Sequence, residues 1–203
     1  MERLFQSNKD ETIRLFKSDF VESFSRIHWT LPLFLYVPVV LFFIYKSIFM
    51  IGLSFSDIFL LYISGLIFWS LLEYFLHRFV FHYEPESEAG KRLSFIMHGI
   101  HHAYPNDSKR LVMPPSISIP IGVFFYFLTL LVLGNQYQSP FYAGLVSGYL
   151  CYDMMHYAVH HAAIKNKLFM KIKTNHMKHH YQTPEKGYGV SQPLWDYVFR
   201  TKV

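Results

Sequence analysis

Eleven of the 12 histidines in this chain lie in four short clusters, and long apolar segments separate those clusters. The clusters are HRFVFH (77–82), HGIHH (98–102), HYAVHH (156–161) and HMKHH (176–180), and only His28 lies outside them. Neutral imidazole is the commonest metal ligand in proteins and suits iron, zinc and copper. Histidine-rich metal-binding tracts are contiguous, whereas these clusters can meet only in a folded chain. The pattern therefore predicts a fold that gathers them around metal.

Helix geometry indicates which of these histidines act together, because residues three and four positions apart share one helix face. That spacing holds in three clusters and gives these sets: His98, His101 and His102; His156 and His160; His176, His179 and His180. His161 points away from His156 on a straight helix. His77 and His82 are five residues apart, so the helix ends or distorts between them, or they reach different metals. The ten better-placed histidines suit two metals with about five nitrogens each, or two metals with open positions for water or oxygen.

Two carboxylates lie close to the clusters, Glu73 four residues before His77 and Asp153 three residues before His156. An ionisable group at the end of an apolar segment is costly unless it has a partner. Glu73 could orient a metal-bound imidazole, or it could form a salt bridge with Arg78 or another base. Asp153 could ligate a metal, accept an imidazole N–H or pair with a cation, and we favour the imidazole.

The composition of the chain is that of a membrane protein. Of its 203 residues 52% are hydrophobic and 16% are charged, whereas soluble domains have about 25% charged residues. Apolar runs of the length that crosses a bilayer, about 20 residues, occupy 31–50, 57–76, 116–134 and 141–159. We therefore expect an all-α integral membrane protein with four transmembrane helices.

The connections between these runs predict the topology. The segments 51–56 and 135–140 are short and contain no Lys or Arg, so each joins two helices into an antiparallel hairpin. Lys and Arg are abundant before the first run, between the second and third, and after the fourth. By the positive-inside rule, both termini and the middle loop are cytoplasmic, and so are all four histidine clusters. The net charge of +5 is thus explained by the orientation of the chain in the membrane and by attraction to anionic lipid headgroups. No nucleic-acid module is indicated.

The chain is expected to form one domain, residues 1–203, in three parts. Residues 1–30 carry an apolar stripe that suits an interfacial helix on the membrane or, alternatively, packing against the soluble part. Residues 31–160 hold the four spans with the histidine-bearing loop, and residues 161–203 form a compact helical cap. Cys151 is the one cysteine, which excludes a disulfide framework and a thiolate metal site.

Beyond the histidines themselves, four segments resemble the fatty acid hydroxylase superfamily of sterol desaturase-like membrane di-metal oxygenases, and most closely its sphingolipid fatty acid 2-hydroxylases. They are EYFLHRFVFH, HGIHHAYPNDSKRLVMPP, YDMMHYAVHH and HHYQTPEKGYGVSQPLWDYVF, within residues 65–203. The resemblance implies a cytosolic cap over four spans with two bound metals, functionally iron, although zinc can occupy the site in purified protein. The ligands that the motifs imply are His77, His82, His98, His101, His102, His156, His160, His176, His179 and His180. His161 also matches the motif, with poorer geometry.

The same resemblance implies O2-dependent hydroxylation of the carbon next to the acyl carbonyl, in a ceramide or a related fatty acyl lipid. Several relatives carry a haem domain of the cytochrome b5 kind as electron donor. We expect this chain to be too short for one, so its electrons would come from a separate cytochrome b5-like protein, ferredoxin or reductase that docks on the basic cytosolic face.

Other functions stay open on the sequence alone. A lipid desaturase or a sterol-type hydroxylase would carry similar histidine clusters. A metal transporter, from a different functional class, would place its ligands at mid-membrane, whereas these clusters gather at the cytoplasmic ends of the spans. A structural metal site would need far fewer than ten ligands.

Overall fold

The computed structural model describes residues 5–203, and within that range the chain is helical, without β-strands. The helices are α1 (Asp19–Ser23), α2 (Leu31–Tyr45), α3 (Phe55–Phe75), α4 (Glu88–Ser94), α5 (Ile100–Ala103), α6 (Pro115–His161), α7 (Lys167–Tyr181) and α8 (Leu194–Val198). Helices α2, α3 and α4 each continue into a π-helical turn, at Lys46–Ile51, Leu76–Phe81 and Phe95–Gly99.

Three helical stretches of the described chain are long and apolar enough to cross a membrane: Leu31–Ile51, Phe55–Phe81 and Pro115–His161. Large apolar side chains cover their outer surfaces; Phe34 is 76% exposed and Leu131 is 83% exposed. An apolar surface of this extent is stable in lipid and not in water. The chain is therefore an all-helical membrane protein, as the sequence predicts.

The longest helix, α6, breaks and reverses direction at Gly134. The backbone there has φ 66° and ψ 173°, a conformation that glycine adopts without steric cost. Beyond the break, the Tyr142 hydroxyl donates to the carbonyl of Gly122 at 2.9 Å. On a straight helix, 20 residues would separate those groups by about 30 Å. Segments 115–133 and 135–161 thus form an antiparallel hairpin, and the turn is tighter than the predicted connection at 135–140.

Helix α3 packs against the second segment of α6 through small residues. A Cβ on Gly144 would lie 2.0 Å from the carbonyl oxygen of Tyr62, and one on Gly65 would lie 2.1 Å from that of Phe141. Close backbone approach over small residues is the usual way in which helices pack in membranes. Next to this contact, Trp69 and Tyr149 pack edge to face with ring centroids 5.4 Å apart.

The remaining elements cover one end of the bundle, the end at which α3 and α6 finish. The C-terminal segment is fixed to α3, because the Tyr74 hydroxyl hydrogen bonds with that of Thr201 at 2.9 Å and the Tyr74 ring stacks on Phe199. Trp195 Nε1 also donates to the Ser70 hydroxyl at 3.0 Å. This packing places the C-terminal segment against the end of α3.

Of the two forms considered for the N-terminal segment, a single interfacial helix is not the one observed, since only Asp19–Ser23 is helical between residues 5 and 30. Residues 1–4 lie outside the described residues. The residues of the apolar stripe differ in exposure, since Phe20 is 73% exposed whereas Ile27 is buried. Buried Glu22 accepts the backbone N–H groups of Leu15 and Phe16 at 2.9 and 2.8 Å. Those N–H groups are bound by a side chain instead of a helical carbonyl, so the segment runs as an irregular strap.

Replacement of Gly144 by Ala should destabilise the α3–α6 contact, because the new methyl group meets the rigid backbone of Tyr62. Overpacking of this kind costs about 1–3 kcal/mol, so we expect a lower melting temperature in detergent. Gly122→Ala is the matched control, since its Cβ would lie 3.5 Å from the Tyr142 hydroxyl. Equal melting temperatures for the two variants would contradict this description of the contact.

Candidate metal centre

Ten histidines gather into two groups of five beneath the cap, with the ring nitrogens of each group within 4.8 Å of one another. Site A comprises His77, His82, His98, His102 and His179, and site B comprises His101, His156, His160, His176 and His180. These are the ten histidines that the sequence singles out. All but His82 and His160 are buried.

The π-helical turn at the end of α3 explains how His77 and His82 reach one site. The backbone N–H of His82 bonds to the carbonyl of His77, five residues earlier, at 3.2 Å. This widened turn brings residues five apart onto one face, which an ideal α-helix does not. The Nε2 atoms of the two histidines lie 3.2 Å apart. Of the alternatives open on the sequence, helix distortion is the one that the structure adopts.

The other clusters divide between the sites in a regular way. Each pair four residues apart stays together: His98 and His102 in site A, His156 and His160 in site B, and His176 and His180 in site B. The third histidine of a triad, His101 or His179, turns to the neighbouring site. The sites consequently share a wall, where the rings of His102 and His180 stack with centroids 4.3 Å apart.

Backbone carbonyls orient three of the imidazoles. Nδ1–H of His77 donates to the carbonyl of Tyr188 at 2.6 Å, and Nδ1–H of His179 donates to that of Lys186 at 2.7 Å. In site B, Nδ1–H of His156 donates to a carbonyl at 2.9 Å, that of Leu111. A carbonyl can only accept, so the proton resides on Nδ1 and the Nε2 lone pair faces the site.

Burial keeps these imidazoles neutral at pH 7. It lowers the pKa of His179 to about 4 and that of His82 to about 2, and it holds the pKa of His101 well below its usual value. Neighbouring histidines lower the pKa of His82 and His101 further. Uncharged imidazole is the form that binds metal, so the sites are prepared for a cation at neutral pH.

The spacing of the nitrogens fits a transition-metal ion in each site. Neighbouring Nε2 atoms lie 2.8–3.2 Å apart. Two nitrogens bound at right angles to a metal at about 2.1 Å would be about 3.0 Å apart. Five lone pairs that converge on one point repel each other unless a cation lies there. The donor set therefore fits two metal ions, each with five imidazole ligands.

The three further residues considered from the sequence lie outside both groups. His161 stacks on Tyr157 with ring centroids 4.9 Å apart. Asp153 accepts the backbone N–H of Met113 at 3.3 Å and lies in the wall of an adjacent cavity. Glu73 bonds neither an imidazole nor Arg78 directly; its carboxylate accepts N–H groups from the C-terminal segment.

A cavity of about 390 Å³ adjoins both sites. His98 of site A and His101 and His156 of site B are part of its wall. Apolar side chains make up most of its wall, namely Leu15, Phe16, Val21, Phe24, Phe81, Ile96, Met97, Ile100, Leu111, Val112, Met113, Pro114 and Ile117. Its volume is within the range of small-molecule binding sites. The first four of these residues belong to the N-terminal segment. The sequence alone does not associate that segment with the site, because apolar residues far from the histidine clusters carry no metal-binding motif.

The described chain is similar to known proteins in both sequence and structure. A family model described as fatty acid hydroxylase matches residues 62–201. The chain is 36% identical to the fatty acid 2-hydroxylase of Rattus norvegicus over 94% of its own length and 57% of that protein's. It is 37% identical to the dihydroceramide fatty acyl 2-hydroxylase FAH2 of Arabidopsis thaliana, over 93% of its own length and 79% of that protein's.

A solved structure of full-length scs7p, in which only the hydroxylase domain is visible, has the same fold. It superposes with a TM-score of 0.86 at 33% sequence identity, over 91% of this chain and 70% of that one. The chain thus spans 57% of the rat relative and 70% of the solved chain, so it matches only a part of each.

Measurement of the metal content should show that His160 is a metal ligand and that its neighbour His161 is not. We expect about two metal ions per chain in the parent protein and about one in His160→Ala, which loses a site B nitrogen. His161→Ala is the matched control and should retain about two, because its ring stacks on Tyr157 outside both groups. Elemental analysis of the purified proteins measures this. Equal loss in the two variants would contradict the assignment.

The metal-free protein should become less stable as the pH falls. The unfolded chain takes up protons on histidine near pH 6.5, whereas folded His179 resists protonation until about pH 4. Acidification through this window therefore favours the unfolded state. Thermal melting of chelator-treated protein at pH 7.5 and about pH 5 tests this. A melting temperature that stays constant or rises on acidification would refute it.

Proposed function

The chain belongs to the fatty acid hydroxylase family, and from that premise we propose that it is an O2-dependent di-iron enzyme that hydroxylates the carbon next to the carbonyl of a fatty acyl chain. The substrate class is ceramide or a related sphingolipid or fatty acyl lipid. One observation carries the proposal: two five-histidine groups adjoin a single apolar cavity at the end of membrane-length helices. The relatives named fatty acid 2-hydroxylase and dihydroceramide fatty acyl 2-hydroxylase support the position of attack.

The metal ligands in this proposal are the ten histidines of sites A and B. Iron suits an imidazole donor set, and bound iron would supply the activation of O2 and the oxidation of the C–H bond. Zinc also binds imidazole but has no redox chemistry, so zinc-loaded protein should be inactive. The chain contributes the geometry: the carbonyls of Tyr188, Lys186 and Leu111 hold the proton on Nδ1 and direct Nε2 inwards.

The cavity is the proposed acyl site. Its apolar wall binds methylene groups and excludes water, and a chain bound there lies next to both metal sites, because His98 and His101 are part of the wall. Arg110 and Asp153 are polar groups in the same wall. Arg110 can donate to a carbonyl oxygen near the head of the lipid, and Asp153 can accept from an amide N–H or a hydroxyl there, so that the adjacent carbon faces the metals.

The proposed topology has four spans in two hairpins. Helices α2 and α3 form the first hairpin, and the two segments of α6, 115–133 and 135–161, form the second. Lys and Arg are absent from the connections between paired helices and abundant at the capped end. By the positive-inside rule the capped end, both metal sites and both termini are cytoplasmic. Residues 1–203 then act as one domain, with 161–203 as the cap.

The proposed electron donor is a separate protein with an acidic face. Lys165, Lys167 and Lys171 are exposed at the start of the cap, close to the end of α6 that bears His160. Opposite charge accelerates the encounter of two proteins and orients them. A cytochrome b5-like protein, a ferredoxin or a reductase would meet this requirement.

The arrangement of the sites favours an enzyme over a metal transporter. Both groups lie at the capped end, and the half of each hairpin that holds the turn contributes none of the ten histidines. A transport path would need ligands along the depth of the membrane. Hydroxylase and desaturase differ in the fate of the substrate radical, and the names of the relatives favour hydroxylase.

Lipid mass spectrometry tests the proposed reaction. Cells that express this chain with a suitable electron donor should accumulate acyl lipids with one added oxygen, and fragmentation should place it next to the carbonyl. His179→Ala removes a site A ligand, so we expect activity to fall at least about 100-fold while membrane insertion persists.

His161→Ala serves as the matched control and should retain most of the activity. Loss of two hydrogens from the lipid would identify a desaturase instead. Unchanged lipids in aerobic, iron-replete cells would refute the proposal.

A further inference from the structure

The C-terminal loop 186–191 serves one metal site and not the other. Its carbonyls at Tyr188 and Lys186 accept the Nδ1–H groups of His77 and His179, at 2.6 and 2.7 Å. Both imidazoles belong to site A. The corresponding carbonyl in site B comes from Leu111, in a different part of the chain.

Two buried carboxylates hold this loop by four consecutive backbone N–H groups. Asp196 accepts those of Tyr188 and Gly189 at 2.9 and 2.8 Å. Glu73 accepts those of Val190 and Ser191, both at 2.8 Å. The Ser191 hydroxyl also donates to Glu73. The loop therefore closes around two internal carboxyl groups with a geometry like that of a backbone nest.

Loss of these hydrogen bonds would be costly, because both carboxyl groups are buried. Glu73 and Asp196 are each 2% exposed, and a buried carboxylate is tolerated only when its oxygens are hydrogen bonded. The loop has little freedom to shift, because a Cβ on Gly189 would lie 2.1 Å from the carbonyl oxygen of Gln192.

Glu73 is connected to site A through the loop. Glu73 lies on α3 one helical turn before His77, and the loop that it binds returns to hold the ring of His77. A shift of the loop would thus release His77 from its carbonyl. The segment that orients His156 of site B is held by a different carboxylate, because Arg110, next to Leu111, forms an ion pair with Glu22 at 2.9 Å.

We propose that Glu73 and Asp196 are positioning residues for site A alone: by clamping loop 186–191 they set the orientation of His77 and His179, and site B does not depend on them. The inference rests on the proposed function, since it assumes that the histidines hold metal. It adds that the two sites differ in what maintains them. Loss of the clamp should empty site A and leave site B loaded.

Metal content of a matched pair of variants tests the clamp. Glu73→Leu removes both acceptor oxygens, and we expect about one metal ion per chain instead of about two. Glu73→Gln keeps an acceptor oxygen for the two N–H groups and should restore about two. Gln138→Leu is a control for loss of a buried polar side chain, because Gln138 bonds the carbonyl of Tyr126 in the membrane hairpin. It should also retain about two.

Double variants identify which site is emptied. If Glu73→Leu empties site A, adding His82→Ala should change nothing, whereas adding His160→Ala should lower the content to nearly zero. Such non-additivity is the expected sign of two changes that act on one site. Retention of about two metals by Glu73→Leu, or equal loss from both sites, would overturn the inference.

The parent protein separates the two hypotheses. If it binds two metals and Glu73→Leu also binds two, only the clamp is refuted; if it binds none, the proposed function fails. A milder variant covers the case in which Glu73→Leu does not fold. Ser191→Ala in the His160→Ala background removes one bond to Glu73, and a chelator should extract the remaining metal about tenfold faster. An unchanged rate would refute the clamp.

Discussion

The convergence of uncharged imidazole nitrogens on two points is the constraint on which the rest of this structure depends. Burial makes a proton on these rings unfavourable, and lone pairs about 3 Å apart repel unless a cation lies between them. Ten rings from four separate clusters must therefore meet in a fixed arrangement. The membrane hairpins achieve this by returning the chain to the same end twice. The cap supplies the carbonyls of Tyr188 and Lys186, and the loop before α6 supplies that of Leu111. These three carbonyls determine which nitrogen of His77, His179 and His156 carries the proton.

Local backbone geometry allocates the histidines to the two sites. The π-helical turn after α3 lets His77 and His82, five residues apart, face one point. Elsewhere pairs four residues apart stay together and the odd histidine of a triad joins the other site. Each of the clusters 98–102 and 176–180 therefore belongs to both sites and fixes their relative position. Site A also depends on loop 186–191, because two of its imidazoles, His77 and His179, donate to carbonyls of that loop. Buried carboxylates in turn hold the loop by its N–H groups.

Much of this arrangement could be predicted from the sequence, since spacing and hydropathy are local properties. The ten gathered histidines, the apolar helices and the separate position of His161 all follow from periodicity. The sequence indicates two metals with about five nitrogens each, but which histidine joins which group could not be predicted, because it depends on where four helices end relative to one another. The partner of Glu73 lies more than 100 residues away in a segment without periodicity. The irregular course of the N-terminal segment could not be predicted either, because a buried carboxylate, Glu22, binds N–H groups that a helix would use.

The most direct test of the central claim is anomalous X-ray diffraction at the iron edge from crystals of the iron-loaded protein. The account predicts two iron peaks per chain, one surrounded by Nε2 atoms of His77, His82, His98, His102 and His179 and the other by those of His101, His156, His160, His176 and His180. A single peak, or iron bound away from these nitrogens, would contradict it.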